Sequence, residues 1–252
     1  MIGVSSTAFC TQNIEDTMKA VSKEFDHWEI FSEGEHYLQN ALARFGAVAP
    51  LYKMKYSIHA PICDVNIAAL SERMREVSTM EMMATMEQAI SAEIKLITIH
   101  PGLYSMAVPG LEQKSIERAK KSLRTLDRVT SEYGVKIAVE NMPSFQFMLG
   151  RTAEELRDLV DGTDMGVCFD IGHANTTGQI DAFTELLGDR IINIHIHDNH
   201  GKTDEHLTIG DGNIDFAKVL GKLKGYTKNY IIESKSLESA VESKKKLKAM
   251  LG

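Results

Sequence analysis

Apolar and polar positions alternate most sharply between Ile191 and His197, where Ile192, Ile194 and Ile196 interleave with Asn193, His195 and His197. Successive strand side chains face opposite ways, so this stretch predicts a strand with isoleucines on one side and polar groups on the other. Shorter apolar runs with strand character lie at Ile2–Ser5, His27–Phe31, Lys55–His59, Leu96–His100, Ile137–Glu140, Met165–Asp170 and Tyr230–Ser234. Helical spacing and punctuation fill the intervals. The helices expected there run from Asn13 to about Phe25, then over Glu35–Val48, Ile67–Val77 with Ser78–Glu93, Glu112–Tyr133, Thr152–Val160, Asp181–Leu187, about Asp215–Leu223 and Leu237–Leu251. Asn13 is a cap with Glu15 and Asp16 in the first turn, Thr152 and Glu155 form a capping box, and Gly134 stops the long helix before it.

Eight strands alternating with helices predict parallel pairing through right-handed crossovers, hence an α/β fold of the closed (β/α)8 TIM-barrel type. An open doubly wound sheet is the alternative, but no strand is followed by a glycine-rich phosphate loop. The 252 residues, 43% of them hydrophobic, contain no low-complexity tract or linker, so residues 1–252 are expected to form a single domain. Met74, Met80, Met82, Met83 and Met86 crowd one helical stretch. Such residues fill irregular cores, and core packing is the expectation, ahead of a soft-metal or partner surface.

No apolar run approaches the roughly 18 residues of a membrane span, and the N-terminus lacks the basic start and apolar stretch of a secretory signal. Three scattered cysteines, Cys10, Cys63 and Cys168, make neither a disulfide framework nor a cysteine zinc site; a reducing cytoplasm is expected. The formal net charge of −7 argues mildly against broad nucleic-acid binding.

Active sites of such barrels sit where strands end. Strand three ends at His59, strand four at His100, strand five at Glu140, strand six at Asp170 with His173 just beyond, and strand seven at His195 or His197. Strand eight brings Glu233, and the loop after strand seven adds Asp204 and His206. Singly, each is more often a satisfied polar residue or a loop anchor; six successive strands ending in ligand-type residues are poorly explained by chance. Four carboxylates drawn toward one cavity cannot all ionise unless cations sit among them. Imidazoles interleaved with them favour zinc, and a carboxylate-dominated set favours manganese or magnesium.

Most of the chain resembles the xylose-isomerase-like barrel superfamily, which holds endonuclease IV-type apurinic-site nucleases and sugar isomerases and epimerases. The resemblance is carried by His59, His100, Glu140 in VEN, Asp170 and His173 in DIGH, His195 in HIHD, Asp204 and His206 in DEHLTIGDG, and Glu233 in IES. All nine positions of the endonuclease IV three-zinc pattern are filled. The resemblance implies up to three Zn2+ ions, hydrolysis of a phosphodiester in abasic DNA, Glu140 bridging metals and Glu233 helping to position the nucleophile. The epimerase branch implies instead one Mn2+ or Mg2+ ion on Glu140, Asp170, His195 and Glu233, both glutamates acting as acid and base on a sugar or sugar phosphate. That branch has no use for His59, His100, Asp204 and His206 as ligands, so the complete set favours hydrolysis. The surroundings pull the other way: FSEGEHYLQN after strand two carries Glu33 and Glu35 and is short for a DNA-gripping loop, and the expected mouth offers only Lys53, Arg151, Lys202 and Lys235. Phe145, Phe147 and Met148 follow Glu140 and read as an apolar lid over a small substrate, or as a wedge into stacked bases.

Overall fold

The period-two pattern of the strands resolves into two faces of one closed sheet. The computed structural model describes residues 1–105 and 108–252. Its strands are β1 (Ile2–Ser5), β2 (His27–Phe31), β3 (Lys55–His59), β4 (Leu96–Ile99), β5 (Lys136–Glu140), β6 (Gly166–Asp170), β7 (Ile191–Ile196) and β8 (Asn229–Ile232). They pair in sequence order, all parallel, and β8 returns to β1. Outside lie α1 (Ile14–Val21), α2 (Leu38–Val48), α3 (Glu72–Ser91), α4 (Glu112–Tyr133), α5 (Ala153–Val160), α6 (Ile171–Thr176), α7 (Ile180–Leu187), α8 (Phe216–Lys222) and α9 (Leu237–Leu251). The chain is a (β/α)8 TIM barrel.

The apolar strand residues, among them Trp28, Ile30, Ile58, Ile97, Val139, Phe169, Ile194 and Ile232, join the buried cluster that includes Met18, Leu123, Leu156 and Phe183 of the helices. Each fully buried side chain of this size contributes about 1.5–3 kcal/mol, so the sheet–helix layer holds the fold. The opposite face is polar far down the barrel: Glu29, Ser57, Thr98, Asn193 and His195 are all buried and bonded to one another across it. Barrels more often fill that space with layers of branched apolar residues.

Several boundaries differ from the sequence expectation for local reasons. The helix α3 starts only after Ser71, because Asn66 holds the preceding loop, accepting from the Ala68 and Leu103 amides at 2.9 Å each. Gly34, with φ 56°, opens a 3-10 turn that divides the second helical stretch, and α2 begins at Leu38 with its amide donating to Ser32 Oγ. Met82 and Met86 are core residues, but Met74 and Met80 are solvent-facing, so the methionine cluster is only partly packing. Lys53 precedes β3 and therefore lies at the end of the barrel opposite to the strand termini that carry the histidines, not at the mouth. Among the described residues no helix is long and apolar enough to cross a membrane.

Candidate metal centre

The C-terminal strand ends deliver their donors through local devices readable in the sequence. Asp170 closes β6 and caps α6, its Oδ1 accepting from the His173 amide at 2.6 Å, so Asp-x-x-His is a cap-to-third-residue spacing. Asn141 of VEN clamps two strand ends together: its Nδ2 donates to the Asp170 carbonyl (2.9 Å) and its Oδ1 accepts from the Asp170 amide (2.7 Å). Asp198 shapes the loop after β7 by accepting from the amides of Asn199, Gly210, Gly212 and Ile214 at 2.8–3.2 Å. Gly212 is required there, since a Cβ would stand 2.3 Å from Asp198 Oδ1. That loop carries Asp204 and His206, the latter held at φ 49°, a conformation uncommon outside glycine.

Glu140 stands at the middle. Its Oε2 faces His59 Nε2 at 3.1 Å and His100 Nε2 at 3.2 Å, while its Oε1 faces His195 Nδ1 at 2.8 Å. His195 Nδ1 also looks toward Glu233 Oε1 (3.6 Å) and Asp170 Oδ2 (3.9 Å). A second group gathers on Asp204, whose Oδ2 lies 3.3 Å from His173 Nε2 and 3.0 Å from His206 Nε2. Glu233 Oε2 and His206 Nδ1, 3.7 Å apart, join the two groups.

These contacts fit metal ions by a test internal to the structure. His59 Nδ1 and His173 Nδ1 donate to the carbonyls of Ala60 (2.9 Å) and Asn141 (2.8 Å), which directs the other ring nitrogen of each at a carboxylate oxygen. Nitrogen and oxygen lone pairs face each other stably only with a proton or a cation between them. Asp170 Oδ2, Asp204 Oδ1 and both nitrogens of His197 are buried without a hydrogen-bond partner. An orphaned buried polar atom costs about 1–3 kcal/mol, more when charged, and these belong to residues whose donor atoms cluster closely enough to share an ion. Without a metal the histidines must hold the positive charge. Burial resists the protonated form at His173, yet Asp170, Asp204 and Glu140 raise it well above its ordinary value. Glu140, despite burial, is held well below its ordinary range by His195, His100 and His59.

A family model described as xylose isomerase-like TIM barrel matches residues 19–250. The chain belongs to this family. Among relatives of the xylose isomerase-like chain, an uncharacterized protein of Methanocaldococcus jannaschii is 37% identical over 259 residues, covering 99% of this chain and 88% of the relative. A crystal structure of a D-tagatose 3-epimerase-like protein superposes with a TM-score of 0.93 at 36% identity, covering 99% of this chain and 96% of that one. A probable endonuclease 4 of Geobacillus is 30% identical over 168 residues, 60% of this chain and 51% of the relative. Both enzyme types thus stand among the barrel's kin.

In this xylose isomerase-like barrel all nine sequence-selected residues converge on the C-terminal mouth: His59, His100, Glu140, Asp170, His173, His195, Asp204, His206 and Glu233. The choice between His195 and His197 dissolves, because both point inward. His195 meets Glu140, Asp170 and Glu233, and His197 stands one layer higher with Nε2 3.3 Å from both Asp170 Oδ1 and Asp204 Oδ1. Gly172 of DIGH makes room for it, since a Cβ there would lie 2.0 Å from His197 Cε1. Ring centroids 4.2 Å apart and planes parallel to within 1° stack His197 on His206. Cys168 also borders Glu140 and His195, and burial pushes its thiol up. Sequence reasoning missed Glu29, a fully buried carboxylate 2.5 Å from His195 Nε2. Its signal was the same alternation: in HWEIF it shares a face with His27 and Phe31 between Trp28 and Ile30.

Proposed function

We propose that this chain is a zinc-dependent phosphodiester hydrolase of endonuclease IV type, acting on abasic DNA. The observation that carries the reading is the two-sided seating of Glu140, with His59 and His100 on one oxygen and His195 on the other. A single-metal isomerase needs only one of those sides, and it needs neither His173 nor the Asp204–His206 pair. Electrostatics agrees. With Glu29, the centre gathers five carboxylates, four of them buried. One divalent ion leaves that set strongly negative and repels phosphate, whereas three leave it positive.

Zinc in such a set supplies Lewis acidity and lowers the pKa of water from about 15.7 to about 7. His59 and His100 would hold an ion with Glu140; Asp170, His195 and Glu233 a second, again with Glu140; and His173, Asp204 and His206 a third. Glu233, with its oxygens toward both His195 and His206, stands between two of these groups and can accept the proton of the attacking water. Glu33 and Glu35, which argued against DNA, have structural partners: Glu33 Oε1 accepts from the Ile62 and Cys63 amides at 2.7 Å, and Glu35 pairs with Arg44. Phe145 and Phe147 stack on each other at 5.6 Å, both exposed beside the mouth, as a platform for a base or a sugar face.

A second reading has its own support. Glu140 and Glu233 approach His195 Nδ1 at 2.8 and 3.6 Å, an arrangement that also serves as an acid–base pair across a sugar carbon. Of the cations expected at the mouth, Arg151 is half-buried, and Lys202 and Lys235 are exposed. Zinc-loaded protein incubated with a duplex carrying one abasic site is expected to incise it 5′ or 3′ to the lesion. No incision under any divalent metal, together with solvent deuterium entering a sugar carbon, would replace the first reading by the second.

A further inference from the structure

His195 differs from its neighbours in what its far nitrogen meets. His59 and His173 give their second N–H to backbone carbonyls. His195 instead turns Nε2 down into the barrel onto Glu29 Oε1 at 2.5 Å. Glu29 is fully buried, and its other oxygen accepts from Ser57 Oγ (2.8 Å) and Asn193 Nδ2 (2.9 Å). Asn193 Nδ2 is also braced by Thr98 Oγ1 at 3.1 Å, and Ser57 Oγ by His27 Nε2 at 3.0 Å. A carboxylate removed from water deep in a barrel is costly unless its lone pairs are answered. Here every partner is supplied by β2, β3, β4 or β7, so the sheet itself fixes the carboxylate beneath the imidazole.

We propose that Glu29 is a positioning residue for the metal centre, one that fixes His195 with its N–H on Nε2 and its lone pair on Nδ1. Nδ1 is the atom that faces Glu140, Asp170 and Glu233. A charged acceptor on the far nitrogen holds the ring orientation, selects the tautomer and makes the imidazole a stronger donor. The inference rests on the reading of these residues as metal ligands, but not on which reaction they serve.

Glu29→Gln tests it. Gln keeps the shape but removes the charge, and its amide group can reverse the tautomer by donating to Nε2. Glu29→Asp keeps the charge but shortens the reach. We expect both variants to lose about 10- to 100-fold in affinity for cobalt(II) at one site, measured by calorimetric titration of the whole chain, and to shift the visible absorption of the bound cobalt. Either variant, folded by circular dichroism, that matches wild type in affinity and spectrum overturns the proposal. Wild type that binds cobalt yet incises no abasic DNA removes the proposed reaction and leaves this inference standing; wild type that binds no cobalt removes both.

Discussion

Glu140→Gln is expected to lower turnover by about 1,000-fold or more while leaving the barrel folded. The carboxylate is shared by two halves of the centre, so its loss loosens two ions at once, and each catalytic ion is worth several kcal/mol of transition-state stabilisation. At 1.36 kcal/mol per factor of ten, about 4 kcal/mol accounts for the expected loss. Folding survives for a separate reason. Gln has the volume of Glu, and the sheet–helix apolar layer that carries stability lies on the other face of β5, at Ile137 and Val139. Steady-state rates beside a thermal melt check both halves; an active variant would remove Glu140 from the centre, whichever substrate is used.

The second large effect separates the two chemistries. His206→Asn should cost about 100-fold or more in hydrolysis and should release one of the zinc ions. Asn is chosen because position 206 sits at φ 49°, which Asn tolerates better than Ala, so the backbone of the loop is preserved. The loop's own anchor, Asp198 with its four amide donors, is untouched by the change. Under a single-metal scheme His206 lies outside the four-residue set and the variant stays within about tenfold of wild type. Under the three-ion scheme it removes a donor from the group gathered at Asp204. Activity paired with elemental analysis of the same preparation reads the difference.

Much of this centre was legible in the sequence because the barrel imposes a simple rule. A strand's last inward residue faces the mouth, so His59, Glu140, Asp170 and His195 could be read from strand ends alone. The short motifs added reach: Asp-x-x-His works through a helix cap, and the Gly-x-Gly turn serves Asp198 rather than a ligand directly. Glu29 escaped because it lies mid-strand, where attention to strand ends does not look and where an isolated carboxylate reads as a solvated edge. Its meaning depends on Asn193, Ser57 and His195, which only closure of the sheet brings across the barrel. Lys53 misled for the converse reason: proximity in sequence to β3 says nothing about which end of the strand it flanks. The exposure of Met74 and Met80 depended on how far α3 rotates over α2 and α4, and composition does not encode that.

Three sets of donors linked through Glu140 and Glu233 make the central claim countable. Zinc and protein measured by elemental analysis on chain purified without chelators should give about three metal ions per molecule. About one ion per molecule, unchanged after incubation with excess zinc and gel filtration, would contradict the multinuclear centre and with it the hydrolase.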